Sequence, residues 1–219
     1  MKATYKSGVE TKNKIISTAR KMFSDKGIQD VTIAQICSEA GIAPGNFTYY
    51  FPSKASLIKE IFRCFQAECE TFAKEKLPDD IPLAFLKCLQ SHTIVYSLAF
   101  SSKTSRFLID VYKDPKYSYL VRDLLEGNYS DVIPLLDNKD LKYKMYSVSA
   151  DTHIKLGLFK DLMDRTDYHP TEAQIKEFAD AMFIFFCRLF YLDDVNIEEI
   201  LAKANEIIKK NRDELPAPV

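Results

Sequence analysis

The sequence predicts an all-α protein, a small N-terminal three-helix unit followed by a larger helical body, and three observations predict it. The 6 glycines and 9 prolines in 219 residues fall as punctuation between long stretches, not at the short regular spacing of an all-β chain. Within those stretches apolar residues recur every three to four positions. Helix start and stop signals frame the periodic segments. Composition agrees: 47% of residues are hydrophobic and the net charge is -1, which places the chain among globular proteins and excludes disorder.

The first helix carries Ile15, Ile16, Ala19, Met22 and Phe23 on one face and ends near Lys26-Gly27, where glycine supplies a left-handed cap. A short second helix opens at Thr32. Thr32 and Gln35 form a capping box, Ile33, Ile36 and Cys37 supply the buried face, and Gly41 closes the helix. Pro44, with its fixed φ, starts a third helix. Ser53 then caps a longer one that buries Leu57, Ile61, Cys64, Phe65 and Phe72 and stops near Pro78.

Five or six further helices follow. Their signals are Pro82 near an N-terminus, Asp114-Pro115 as cap and first turn, capping boxes at Thr171-x-x-Gln174 and Asn196-x-x-Glu199, and a break at His169-Pro170. The tail from Leu215 to Val219 cannot continue a helix and is expected to fray. The boundaries that follow are 9–52 for the three-helix unit and 53–215 for the body.

Several function classes are excluded by what the residues do not form. Cys37, Cys64, Cys69, Cys88 and Cys187 contain no CxxC pair and read as small buried apolar residues; His92, His153 and His169 are scattered, so no metal is expected. No GxSxG, phosphate-binding GxxxxGK[ST] or dinucleotide fingerprint occurs, so neither an enzyme nor a cofactor is expected. The longest apolar run, Ala181 to Cys187, is too short to cross a bilayer, and the N-terminus opens on polar Lys2, Thr4, Lys6 and Ser7. A cytoplasmic or nuclear protein with no membrane partner is expected.

Charge is unevenly spread. Residues 1 to 63 carry ten basic and five acidic side chains, a net of +5, which leaves 20 basic and 26 acidic in the rest. A basic head on an acidic body suits contact between one end and a polyanion. Basic faces on solvated helices are the plainer explanation of such a split.

The segment from Thr32 to Phe51 favours the polyanion. It reads as a helix-turn-helix: Cys37 is small where two helices must cross, Gly41 makes the turn, and Ile42 and Phe47 face inward. The second helix turns Gly45, Asn46, Thr48 and Tyr49 outward. Asn46 can both donate to and accept from adenine in a major groove, Ala43 and Pro44 can touch a thymine methyl, and Gly45 allows close approach. Thr32, Thr48, Tyr50 and Lys54 suit phosphates, Lys54 because it sits in the first turn of a helix with exposed N–H groups. Phe51 is expected in the core, and Tyr50 with its ring packed and its hydroxyl outward. Lys2 and Lys6 in the arm from Met1 to Gly8 suit backbone or minor-groove contact.

The stretch from Thr11 to about Ile61 resembles the DNA-binding region of the tetracycline-repressor-like (TetR) family of bacterial regulators. The matching features are Phe23 with Gly27, Thr32-Ile33-x-x-Ile36, Glu39-Ala40-Gly41-Ile42, Gly45 to Phe51, and Ser53-Lys54-x-x-Leu57-Ile58. The resemblance implies a homodimer in the bacterial cytoplasm, by the nucleoid, that represses genes from a double-stranded operator until a small organic molecule binds the body. Two departures stand out: Asn46 follows Gly45 where threonine or serine is commoner, and Thr48 stands where many relatives have tyrosine.

For the body the residues alone must serve. Phe62, Phe65, His92, Tyr96, Phe100, Phe107, Tyr112, Tyr119 and Arg122 are the candidates to line an effector cavity. Glu68, Glu70, Asp110, Asp123 and Glu126 could cage a cation, although solvated helix faces explain them more simply. Met182, Phe183, Phe186, Leu189 and Phe190 make the helix from Thr171 to Tyr191 apolar nearly all round, which nominates it for the dimer interface, with the small-residue stretch Ser147 to Ile154 as its partner. The rival reading is a helix-turn-helix adaptor that contacts proteins and has no effector.

Overall fold

A computed structural model describes residues 2–78, 80–126, 129, 133, 141–192 and 195–219. The side chains of residues 2–7, 124–126 and 141 lie outside that description, which covers the Lys2, Lys6 and Glu126 expectations. Among the described residues there are ten α-helices and no strand. In chain order they are α1 (Lys2–Lys26), α2 (Ile33–Ala40), α3 (Pro44–Tyr50), α4 (Lys54–Glu75), α5 (Leu83–Ala99), α6 (Ser102–Lys113), α7 (Ser118–Glu126), α8 (Leu141–Arg165), α9 (Glu172–Leu189) and α10 (Ile197–Lys210). No helix among the described residues is long and apolar enough to cross a membrane.

Local chemistry sets most boundaries. Thr32 accepts from the Gln35 N–H while Gln35 reaches back to the Thr32 N–H; Ser53 with Ser56 and Thr171 with Gln174 repeat the arrangement. Gly27 and Gly41 end their helices at φ 80° and 62°, where a Cβ is disfavoured. Asp114 acts differently from expectation: it closes α6, and its carboxylate caps the turn leading to α7 by accepting from the Lys116 N–H at 2.8 Å. The tail also departs from expectation. Pro218 is buried, and the Val219 carbonyl accepts from Thr104 Oγ1 at 3.5 Å, so the segment packs on α6 instead of fraying.

The core runs without interruption from the head into the body. α1 buries Ile15, Ile16, Ala19, Met22 and Phe23, α3 contributes Phe47, and α4 contributes Leu57, Ile58, Ile61, Phe62, Phe65 and Phe72. Phe107 of α6 joins the two regions, stacked on Phe23 at 5.8 Å and tilted against Phe62 at 5.6 Å. Four of the five cysteines are buried and Cys64 is half-buried, all as free thiols.

α5 is the central helix of the body and packs against α4, α6, α9 and α10. It carries buried polar groups that must find partners. His92 sets Nδ1 2.9 Å from the Cys88 carbonyl and Nε2 2.9 Å from Asp180 of α9; Asn205 of α10 donates to the same Asp180 oxygen at 2.8 Å. Three helices are tied at one carboxylate.

Candidate nucleic-acid interface

α2 and α3 are held apart by a tight turn. The Gly41 N–H bonds back to α2, and the Ile42 N–H donates to the Cys37 carbonyl at 3.0 Å. With Phe47 seated in the core, α3 presents Ala43, Pro44, Gly45, Asn46, Thr48 and Tyr49 to solvent. Tyr49 is 82% exposed. A Cβ added to Gly45 would meet nothing within 4 Å, so the fold itself does not require glycine there. The missing side chain opens the outer face of α3.

The polar groups expected around α3 separate into two sets. Thr48 Oγ1 donates to the Pro44 carbonyl at 3.2 Å on the exposed side, and the Thr32 hydroxyl is engaged by Gln35 in the capping box. Tyr50 is half-buried, edge-on to Tyr49 at 4.9 Å, and its hydroxyl lies 3.4 Å from where a Gly8 Cβ would stand. Its hydroxyl therefore rests against α1, closer to the protein than the outward orientation expected.

Lys54 is a correction. Its ammonium turns into the head and donates to the Ile28 carbonyl and, at 2.7 Å, to the Val31 carbonyl, 5.6 Å from the Phe23 ring centroid. Burial pushes it below the usual lysine range. The loop after α1 would otherwise leave those carbonyls without donors, so the residue ties loop to α4 and does not reach outward to a phosphate.

Other head cations are also engaged within the chain. Lys12 and Arg63 both pair with Glu60, at 2.7 and 2.8 Å, and the Arg63 hydrogen bonds lead in holding the Glu60 carboxyl at about 2. Arg20 pairs with Glu68 at 3.1 Å and Lys59 with Asp123 at 3.9 Å. Lys14 is different: it is exposed, and its Nζ lies 3.9 Å from a Cβ built on Gly41, beside the turn between α2 and α3. Its nearness to the turn emerges only from how α1 packs against α2.

The body places its residues otherwise than expected. A cavity of about 90 Å³ lies between α5, α8 and α9, walled by residues that include Ile94, Leu98, Leu108, Phe159, Phe178 and Phe183, and none of the nine candidate residues lines it. Phe62, Phe65 and Phe107 are core, His92 belongs to the Asp180 network, and Tyr96 is buried with Phe100 against it at 5.3 Å. Tyr112 is half-buried, while Tyr119 and Arg122 are exposed. The acidic residues are dispersed: Glu68 serves Arg20, Asp123 serves Lys59, Glu70 accepts from Gln66, and Asp110 borders a groove beside Gly27. Among the described residues no group of side chains is arranged to hold a metal ion.

The interface candidates are corrected too. Met182, Phe183, Phe186 and Phe190 are buried within the protomer and Leu189 is half-buried. α9 instead turns out Glu177, Ala181, Ile184 and Arg188, and α8 turns out Tyr146, Ala150, His153 and Leu158. Leu158 and Ile184 are 42% and 41% exposed.

The three-helix head with an outward α3, set on a helical body through α4 and α6, defines a helix-turn-helix protein of the DNA-binding class. Comparison with known proteins agrees. Residues 15–61 match the family described as bacterial regulatory proteins, tetR family. It is 28% identical over 94 residues to the HTH-type transcriptional regulator AcrR of Shigella flexneri, covering 42% of this chain and 43% of that protein. Over 54 residues it is 32% identical to the HTH-type transcriptional repressor KstR2 of Mycolicibacterium smegmatis, covering 25% of this chain and 26% of that one. These matches span less than half the length of either relative. Among solved structures, that of RolR in complex with resorcinol superposes with a TM-score of 0.55 at 18% identity, over 91% of this chain and 95% of that one, a likeness of fold.

Proposed function

We propose that the protein is a sequence-specific transcriptional repressor that binds its operator as a homodimer and lets go when a small organic molecule enters the cavity of the body. The observation that carries this reading is the outer face of α3, where Ala43 to Asn46 stand clear of the protein and Gly45 leaves room for a base edge. Asn46 reads adenine, Ala43 and Pro44 contact a thymine methyl, and Tyr49, Thr48 and Lys14 meet phosphates.

A path for release runs through α6. Leu108 walls the cavity while its neighbour Phe107 stacks on Phe23 of the head. A ligand that displaces Leu108 shifts α6, and Phe107 carries the shift into α1. Half-sites on one face of DNA lie roughly 34–36 Å apart per turn, so a small change between two heads ends simultaneous docking. Gly157 supports the dimer: a Cβ there would meet nothing within 4 Å, so the protomer gives no reason for glycine in mid-helix, whereas a closely packed second copy does.

The test is binding of purified protein to DNA from upstream of its own gene, with scrambled competitor, at two salt concentrations. Competitor-resistant binding that weakens with salt is expected. Asn46→Ala should lose roughly 1–3 kcal/mol of preference for the operator over scrambled DNA. Equal affinity of wild type and Asn46→Ala for both DNAs would leave the adaptor reading in its place.

A further inference from the structure

The segment after α10 crosses the body and reaches α6. Arg212 lays its guanidinium over the Phe100 ring at 3.9 Å and pairs with Glu172 at 3.0 Å, and Glu214 takes Lys76 at 2.5 Å. Leu215 and Val219 then pack on the core, and Pro218 is buried. Pro216 and Pro218 fix φ, so the stretch has little freedom to lose and docks through few contacts. On its way it meets the C-caps of α4 and α5, the first residue of α9 and the first turn of α6.

The two ends of α6 are held unequally. Its first turn carries two fully buried hydroxyls, Thr104 and Ser105. Ser105 Oγ donates to the Leu98 carbonyl of α5 at 2.7 Å, and Thr104 Oγ1 meets the Val219 oxygen at 3.5 Å. A buried hydroxyl needs an acceptor, and for Thr104 the tail brings it. At the other end an open groove lies between residues 26–30 of the head and Asp110 to Pro115, bridged by Gln29, which donates to Asp114 at 2.7 Å in an exposed hydrogen bond. Such a bond contributes little and opens readily. Leu108, on the cavity wall, lies between the two ends. At a rise of about 1.5 Å per residue, Leu108 stands about 6 Å and Asp114 about 15 Å along the axis from Thr104. A swing about the first turn therefore moves Asp114 roughly 2.5 times as far as Leu108.

Resting on the release reading above, we propose that residues 211–219 are a strap that pins the first turn of α6 as a pivot, so that a ligand pressing on Leu108 swings the far end of α6 and shifts the head through Asp114 and Gln29. Truncation would also strip Arg212 from Phe100 and Glu172, so the test uses full-length variants. Pro218→Asp unseats the strap, Thr104→Val removes the buried hydroxyl that meets it, and Asp213→Ala, exposed on the same segment, is the control. Amide hydrogen exchange reads the pivot without ligand or DNA. In wild type the amides of 111–114 should exchange about tenfold faster than those of 106–109. In both strap variants the amides of 106–109 should speed up about tenfold, while those of 156–163 in α8 stay within about twofold. Asp213→Ala should match wild type.

Even exchange along α6 in wild type, unchanged exchange in both strap variants, or an increase as large in α8 as in α6 would each overturn the proposal. The release reading is judged separately, by the operator affinity of the same variants. A selectively loosened α6 with operator affinity within about twofold of wild type keeps the strap and rejects α6 as the route to the head. Operator affinity lowered about tenfold with α6 exchange unchanged rejects the strap and leaves the release reading standing.

Discussion

Lys54 and Lys14 have the same charge and opposite positions, and the contrast separates holding the head together from holding DNA. Lys54→Met removes the donor to the Ile28 and Val31 carbonyls. It should lower the unfolding free energy by about 1–3 kcal/mol, the cost of leaving such groups unsatisfied, without changing the salt slope of operator binding. Lys14→Ala should leave stability alone and reduce that slope by about 0.9, as loss of one phosphate contact requires. Equal slopes for Lys14→Ala and wild type would remove Lys14 from the interface. Asp180 gives a residue-scale prediction about pH. Burial pushes its carboxyl up, and hydrogen bonds from His92, Lys176 and Asn205 more than reverse this, leaving it at about 2 against an ordinary 3.8. A depressed value in the folded state stabilises above the unfolded value and is lost as pH falls toward the folded one. Asp180→Asn should therefore cost about 2 kcal/mol at pH 7, a gap that narrows as pH falls below about 4. Denaturant unfolding at both pH values checks it, and a gap that stays constant would deny the carboxylate its role.

At the scale of elements, what could be read in advance was what local hydrogen bonding decides. The Thr32–Gln35 and Thr171–Gln174 boxes and the Gly41 cap lie where their residue types place them, because each is settled within a few residues of chain. Thr32→Ala should accordingly cost about 1 kcal/mol, measurable in thermal unfolding, since α2 has only 8 residues and this box secures its start. The outer face of α3 was legible for the same reason: Pro44 fixes the start, Phe47 fixes the inner side, and the rest must face out. The direction of α9 was not. An all-round apolar helix does not say which side meets its own core, and only the neighbours α5 and α8 turn Phe183 and Phe186 inward and Ile184 outward. The cavity was equally hidden, because it is a gap in packing and leaves no periodic mark on the chain. Lys54 escaped because the carbonyls it satisfies lie more than twenty positions away in sequence, in a loop whose approach the pattern does not encode.

At the scale of the whole molecule, on the dimer reading proposed above, the exposed stripes of α8 and α9 set whether one head or two meet DNA. Ala150, Gly157, Leu158, Ala181 and Ile184 give a face with small residues flanking two large apolar ones, the combination that lets helices from a second copy pack closely. Leu158→Arg places a charge at the centre of that face. Leu158 is 42% exposed within the protomer, so the variant should unfold near the wild-type temperature. In sedimentation at micromolar concentration it should run at half the mass of the wild type. Its operator affinity should fall by roughly 10²–10⁴, because a second head tethered to the first binds at a high effective concentration and an untethered one does not. A variant that keeps both the mass and the affinity of wild type would move the interface elsewhere. A variant that keeps the mass but loses affinity would show that the face transmits the position of the heads without forming the contact. The same α9 that presents Ile184 outward turns Phe183 and Phe186 onto the cavity, so on the proposed reading a ligand and a second copy would press on opposite sides of one helix. Leu158→Arg should on this account also change the affinity of the cavity for its ligand, and calorimetry on the monomeric variant measures that coupling without DNA.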